Sequence, residues 1–129
     1  MTDYLNIQLK GDDIHAISAI GLAHMGDAVY ELLVRTYLCA HGKATGKGLH
    51  RATGELVRAP RQAALSEKIL PLLTEEESAV FKRGRNANVR RLAHNATVAE
   101  YRQATALEAL FGWLYLNNAH ERINELFNV

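Results

Sequence analysis

At 129 residues the chain has the length of one domain, and 48% hydrophobic against 22% charged residues excludes a mainly disordered chain. The single cysteine, Cys39, excludes an internal disulfide framework and a zinc site built on cysteines. The net charge of +1 neither demands nor forbids a polyanionic partner. No stretch approaches the roughly 18 apolar residues of a membrane span, and MTDYLNIQLKGDD lacks a basic start followed by an apolar run, so a reduced, cytoplasmic chain is expected.

The pattern reads as helices throughout, an all-α chain with no convincing run of alternating apolar and polar residues. Asp12 and Asp13 are candidate N-caps for a long segment over 14–40, which Ser18 and Gly21 interrupt weakly, so one helix or two are open. Gly42, Gly46 and Gly48 predict a loop, followed by a helix from about Leu49 to Arg58. Pro60 suits the first turn of the next helix, which reaches about Leu70. Thr74 and Glu77 have capping-box spacing, and that helix is expected to stop near Gly84, before a polar loop over 84–96. A second long helix is predicted over Val98–Leu116, broken by Asn117 and Asn118, and a last one over His120–Phe127. One helical domain over 1–129 is the economical reading.

The charge is unevenly placed. Residues 43–102 hold twelve Lys and Arg against six Glu, while the remainder is acidic. The densest piece is KRGRNANVRR, residues 82–91, so a near-neutral chain can still present a basic surface.

Two acids stand out by their surroundings. Asp27 lies mid-way along a segment that is apolar nearly all round, with Leu22, Met25, Val29, Leu32 and Leu33 on one side and Ile20, Ala23, Tyr30 and Val34 on the other. Glu108 is flanked in the same way by Leu107, Ala109, Leu110, Phe111 and Leu114. Helices of that kind are expected in the interior. A desolvated carboxylate must pair with a cationic side chain, take up a proton or bind a cation. Taken alone, such an acid is more often structural than functional.

The segments themselves carry a resemblance. GLAHMGDAVYELLVR resembles the signature helix of ribonuclease III catalytic domains, and ATALEALFGWLYL, residues 104–116, resembles the second acidic helix of that fold. With RGRNAN at 83–88, in this order and spacing, the likeness covers nearly the whole chain and is nearest to the Mini-III ribonucleases, which consist of the catalytic domain alone. It implies a ribonuclease III-like helical endonuclease domain. It also implies a Mg²⁺-dependent enzyme cutting double-stranded RNA, with Asp27 and Glu108 as metal ligands and catalytic acids. Longer members carry two further acids, where this chain has Ala23 and Thr105, as Mini-III members do. Hydrolysis of a phosphodiester needs an activated water and neutralised charge at the leaving oxygen, and Mg²⁺ supplies both.

The resemblance also turns the basic segment from a solvated loop into an RNA surface. Arg83, Arg85 and Asn86 lie in its motif, and such side chains can bond phosphates and 2′-hydroxyls across the shallow minor groove. Arg90 and Arg91 depart from the family's small residues there, and Lys47, His50, Arg51 and Gln62 resemble family positions near the same groove. The resemblance implies a homodimer, maturation of large-subunit (23S) ribosomal RNA precursor and an association with a ribosomal protein. Phe111, Trp113 and Tyr115 are candidates for the self-interface, although their helical spacing fits a core equally. Glu31 is expected to pair with Arg35 one turn on, and His24 to pack or hydrogen-bond rather than bind Mg²⁺. The Gly42–Gly46 loop is too short for a phosphate-binding loop and lacks the Ser or Thr after Lys47. The rival readings are a non-catalytic RNA-binding relative of ribosomes and a helical protein-interaction module.

Overall fold

The computed structural model describes residues 1–43, 45–87 and 96–129. Among them the elements are α1 (Gly11–His15), α2 (Ala19–Ala40), α3 (Gly46–Leu56), α4 (Ala59–Ile69), a 3₁₀ turn (Leu70–Leu72), α5 (Glu75–Arg85), α6 (Val98–Leu116) and α7 (His120–Phe127), with no strand. The expected all-α architecture is what forms.

Local chemistry sets most of the boundaries. The first long segment is two helices. Ser18, rather than Asp12 or Asp13, is the side-chain cap, accepting from the Gly21 amide at 3.0 Å. Asp12 and Asp13 instead sit in the first turn of α1. Gly46 and Gly48, expected in a loop, open α3, because Thr45 accepts from the Gly48 amide and caps the turn. Thr74–Glu77 and Thr97–Glu100 form full capping boxes on α5 and α6. At the far end of α6, Asn118 adopts φ 59°, a left-handed conformation that Asn tolerates, and the chain turns into α7.

α6 is the axis of the molecule. α2, α5 and α4 pack along it, α3 lies on α2, and α7 folds back at its end. Around Glu108 its centre is apolar: Ala106, Leu107, Ala109, Leu110 and Phe111 are all fully buried. Phe111 is therefore core, and not a surface for a second chain. α5 stops at Arg85, close to Gly84 as expected. Gly84 itself lies inside the helix, where an added Cβ would stand 2.7 Å from the Ala109 Cβ, so it also serves the close approach of α5 to α6.

α7 is tied to α5 by one cation. Arg122 places its fork on Glu77 through two 2.9 Å bonds, and also bonds Glu125 and the Leu72 carbonyl. Glu77 is 5% exposed, and the Arg122 guanidinium holds its carboxyl below the usual range. Arg122→Leu leaves that charge buried and unpaired, and is expected to cost about 3 kcal/mol at pH 7 in urea unfolding. Because the native-state pKa of Glu77 is lowered, the pairing stabilises above its ordinary pKa of 4.5 and fades as pH falls below it. The gap between mutant and wild type should narrow there; an equal gap at low pH would assign the loss to packing.

Candidate active site

α2 and α6 cross with their backbones in contact. A Cβ on Gly26 would overlap the Glu108 carbonyl, and one on Gly112 would overlap the Leu22 carbonyl. The two glycines face each other across the crossing, and no other residue type lets the helices come so close. Asp27 follows Gly26, and Glu108 lies one turn before Gly112. The crossing thus brings into side-chain contact two acids 81 residues apart in sequence.

The pair is asymmetric. Glu108 is largely enclosed, whereas Asp27 is exposed. This corrects the expectation of two acids in an apolar interior. α2 is not buried all round: Ile20 and Leu32 are 46% and 60% exposed, and Asp27 opens to the same solvent-facing side. Burial, and after it the hydrogen bond and charge of Asp27, push the Glu108 carboxyl up to about 8. Two carboxylates in contact accept but cannot donate, so the arrangement calls for a shared proton or a cation between them.

Gln62 is placed differently from its expected position at an RNA groove. Its side chain on α4 is 3% exposed, donates to the Val57 carbonyl at 2.9 Å and lies against Glu108. So deeply buried, it cannot reach a ligand on the surface. The remaining sequence-predicted residues lie on other elements. Lys47, His50 and Arg51 share the exposed side of α3, opposite Leu49, Ala52, Thr53 and Leu56, which face inward. Arg83 and Arg85 lie in the last turn of α5 and Asn86 caps it. Arg90 and Arg91 lie outside the described residues. Glu31 pairs with Arg35 at 3.3 Å as its spacing predicts, and His24 is exposed.

Sequence reasoning passed over Tyr30 and Arg61. Tyr30 stands one turn beyond Asp27, packs on Phe111 and Phe127, and feels the charges of both Arg61 and Glu108. A cleft of about 640 Å³ opens beside it, lined also by Arg61 and Lys68. Single cations spaced along α4 give no signal in a linear reading. The glycines did give one: a lone Gly inside a helical pattern costs about 1 kcal/mol against Ala, so it asks for a packing reason.

The donor set fits a hard divalent ion. It offers carboxylate oxygens only, and among the described residues no third His, Cys, Asp or Glu joins the pair. Mg²⁺ prefers oxygen, keeps several waters and is commonly held by one or two carboxylates together with phosphates.

Comparison with known proteins assigns this helical domain to a family of nucleases. The Ribonuclease III domain model matches residues 21–119, and the chain belongs to the ribonuclease III family. Its relatives include the Mini-ribonuclease 3 of Enterococcus faecalis, 42% identical over 90% of this chain and 89% of the relative. That of Clostridium tetani is 39% identical over 98% and 84% of the two chains. A crystal structure of a Fusobacterium nucleatum protein superposes with a TM-score of 0.82 at 36% identity, covering 90% of this chain and 94% of that one. The resemblance to Mini-III ribonucleases read from the sequence holds.

Proposed function

We propose that the protein is a Mg²⁺-dependent endoribonuclease that cuts both strands of duplex RNA, its 129 residues forming a single catalytic domain with Asp27 and Glu108 as ligands of one ion. The observation that carries this reading is the contact of Asp27 with Glu108 at the Gly26–Gly112 crossing. The Mini-ribonuclease 3 names of its relatives support the reaction class. When bound, Mg²⁺ supplies an activated water and offsets negative charge on the phosphate. Asp27, exposed beside the enclosed Glu108, presents the open side of the pair to a phosphodiester, while α2 and α6 shut water from the other side.

Duplex RNA is the substrate that suits the cations available. Lys47, His50 and Arg51 on α3, with Arg83, Arg85 and Asn86 at the end of α5, are exposed or half-exposed donors. We include Arg90 and Arg91 by their sequence alone. Such groups follow a phosphate backbone by its shape and read few bases. The substrate we favour is the large-subunit (23S) ribosomal RNA precursor, in the cytoplasm, with a ribosomal protein as an accessory partner. No described helix is long and apolar enough to cross a membrane. A homodimer would set one such site against each strand. Ile20, Ala28 and Leu32 give α2 an exposed apolar stripe suited to a second copy. Sedimentation should then show a dimer, and an active monomer would remove that part of the proposal.

The reading is tested with a long RNA duplex, the matching single strand and magnesium chloride. Duplex cleavage with the single strand spared is expected, with duplex affinity falling steeply between about 50 and 200 mM salt. Binding without scission would instead make the protein a non-catalytic RNA-binding relative.

A further inference from the structure

We propose that the cleft lined by α2, α4 and the end of α7 is a nucleotide-binding site, in which Arg61 and Lys68 hold the phosphate, Tyr30 donates a hydrogen bond and the base lies against Tyr37 and Phe127. The site needs no metal, so it stands or falls apart from the reading of Asp27 and Glu108 above.

The walls follow from helix periodicity. Tyr30 and Tyr37 lie two turns apart on one face of α2, and Arg61, Leu65 and Lys68 do the same on α4. Phe127, at the end of α7, completes the lining. The volume of about 640 Å³ is that of a site for one small molecule, for which about 300–1,000 Å³ is usual.

Its charge is one-sided. No Asp or Glu side chain lines the cleft. Arg61 and Lys68 are exposed, and no ion pair among the described residues involves either. Both side chains are long, and from one helix face they can converge on an anion between them.

Tyr30 is the second, independent observation. It is 6% exposed, with its ring held against Phe111 at 5.9 Å and Phe127 at 5.8 Å. A buried tyrosine usually finds a partner for its hydroxyl. This one makes no hydrogen bond among the described residues, and the cleft is what it lines. Burial keeps the proton on the hydroxyl, so at neutral pH it is a donor for a phosphate or sugar oxygen.

A bare phosphate would leave most of the cleft unused. Leu65 and Phe127 are half-buried, and Tyr37 is 47% exposed and stacked on His41 at 4.1 Å. Aromatic and apolar surface beside two cations matches a base beside its phosphate, and the flat face of any base can stack there. Two sources carry that group, a free nucleotide and an unpaired nucleotide at the end of an RNA strand. Tyr30 follows Asp27 by one helical turn, which makes the strand end a source as well as the free nucleotide.

The test is run in EDTA, so that neither metal nor cleavage enters. AMP, adenosine and inorganic phosphate are titrated into the full chain and followed by NMR of its amides. A duplex with one unpaired 3′ nucleotide is compared with the blunt duplex by fluorescence anisotropy. Wild type is measured beside Arg61→Gln, Lys68→Gln, Tyr30→Phe and Arg35→Gln, the last removing a charge outside the cleft. Three of these change exposed side chains and Tyr30→Phe keeps the ring, so all four are expected to melt like wild type. AMP should bind at least about tenfold tighter than adenosine or phosphate, or the unpaired nucleotide should tighten duplex binding by about as much. The first result identifies a free nucleotide and the second a strand end. Either gain should fall about tenfold in Arg61→Gln and Lys68→Gln, about threefold in Tyr30→Phe and less than about twofold in Arg35→Gln. Absence of both gains in wild type overturns the proposal, and so does a loss in Arg35→Gln as large as in the cleft variants. A duplex cut normally in magnesium by a chain that senses neither AMP nor the unpaired nucleotide removes this site alone. AMP bound as expected by a chain that cuts no RNA removes the nuclease reading alone.

Discussion

Glu108→Gln is expected to abolish cleavage, by at least about a thousandfold, and at the same time to make the metal-free protein more stable at alkaline pH. The two effects have one origin. Folding brings Glu108 into an enclosed place against Asp27 and raises its carboxyl from 4.5 to about 8. A carboxyl raised on folding holds its proton more tightly in the native state. Its contribution to stability is therefore complete below 4.5 and is lost as pH rises through 8. Glutamine has the same shape and no charge at any pH. At about pH 9 the variant should exceed wild type by about 2 kcal/mol in urea unfolding without metal, while near pH 5 the two should agree. Added Mg²⁺ should reverse the order, since only wild type gains binding energy from it. Equal stability at both pH values would mean that folding does not raise the Glu108 carboxyl.

The second large effect is steric. Gly26→Ala sets a methyl group into the Glu108 carbonyl, and Gly112→Ala sets one into the Leu22 carbonyl. Neither obstacle is a flexible side chain, so the helices must move apart. Each substitution is expected to lose about 3 kcal/mol or more, despite the better helix propensity of alanine, and to lower activity by parting Asp27 from Glu108. Gly54 provides the contrast. It lies within α3 with nothing within 4 Å of an added Cβ, and Gly54→Ala should be neutral or stabilising by up to about 1 kcal/mol. Thermal melts of the three variants check both directions, and a Gly26→Ala protein as stable as Gly54→Ala would refute the close crossing.

The last two helices were the most legible in the sequence. α6 spans Val98–Leu116 and ends where Asn117 and Asn118 were read as a break, and α7 spans His120–Phe127 as expected; the Thr97 cap of α6 was not read, and α7 has no side-chain cap. Where glycine was the marker, the linear reading held in part: α2 ends before Gly42, which has φ 89°, and α5 ends at Arg85, one residue past Gly84. Gly46 and Gly48 look like breaks, yet both open α3 beside a threonine cap, and Gly84 lies inside its helix at a helix contact. Absence of a side chain serves a turn and a close approach equally well, and only the packing partner tells them apart.

The site was legible in part for a related reason. The two acids stood out against apolar neighbours, and the family resemblance paired them. Their unequal exposure did not show, because periodicity assigns faces to a helix without saying which face its partners leave open. Ile20 and Leu32 made α2 look wholly interior, and they are exposed. Gln62 was placed near the RNA groove by family resemblance alone, and its side chain is buried. Only the turn of α4 onto α6 shows that it points inward to Glu108.

The account stands on a divalent ion shared by Asp27 and Glu108. The most direct measurement is scission of a long RNA duplex by wild type and Asp27→Asn, each in magnesium chloride and in excess EDTA. The account predicts cutting by wild type with magnesium alone, restored when the chelator is titrated out, and none by Asp27→Asn under any condition. Cutting that survives EDTA, or an Asp27→Asn enzyme as fast as wild type, would contradict it.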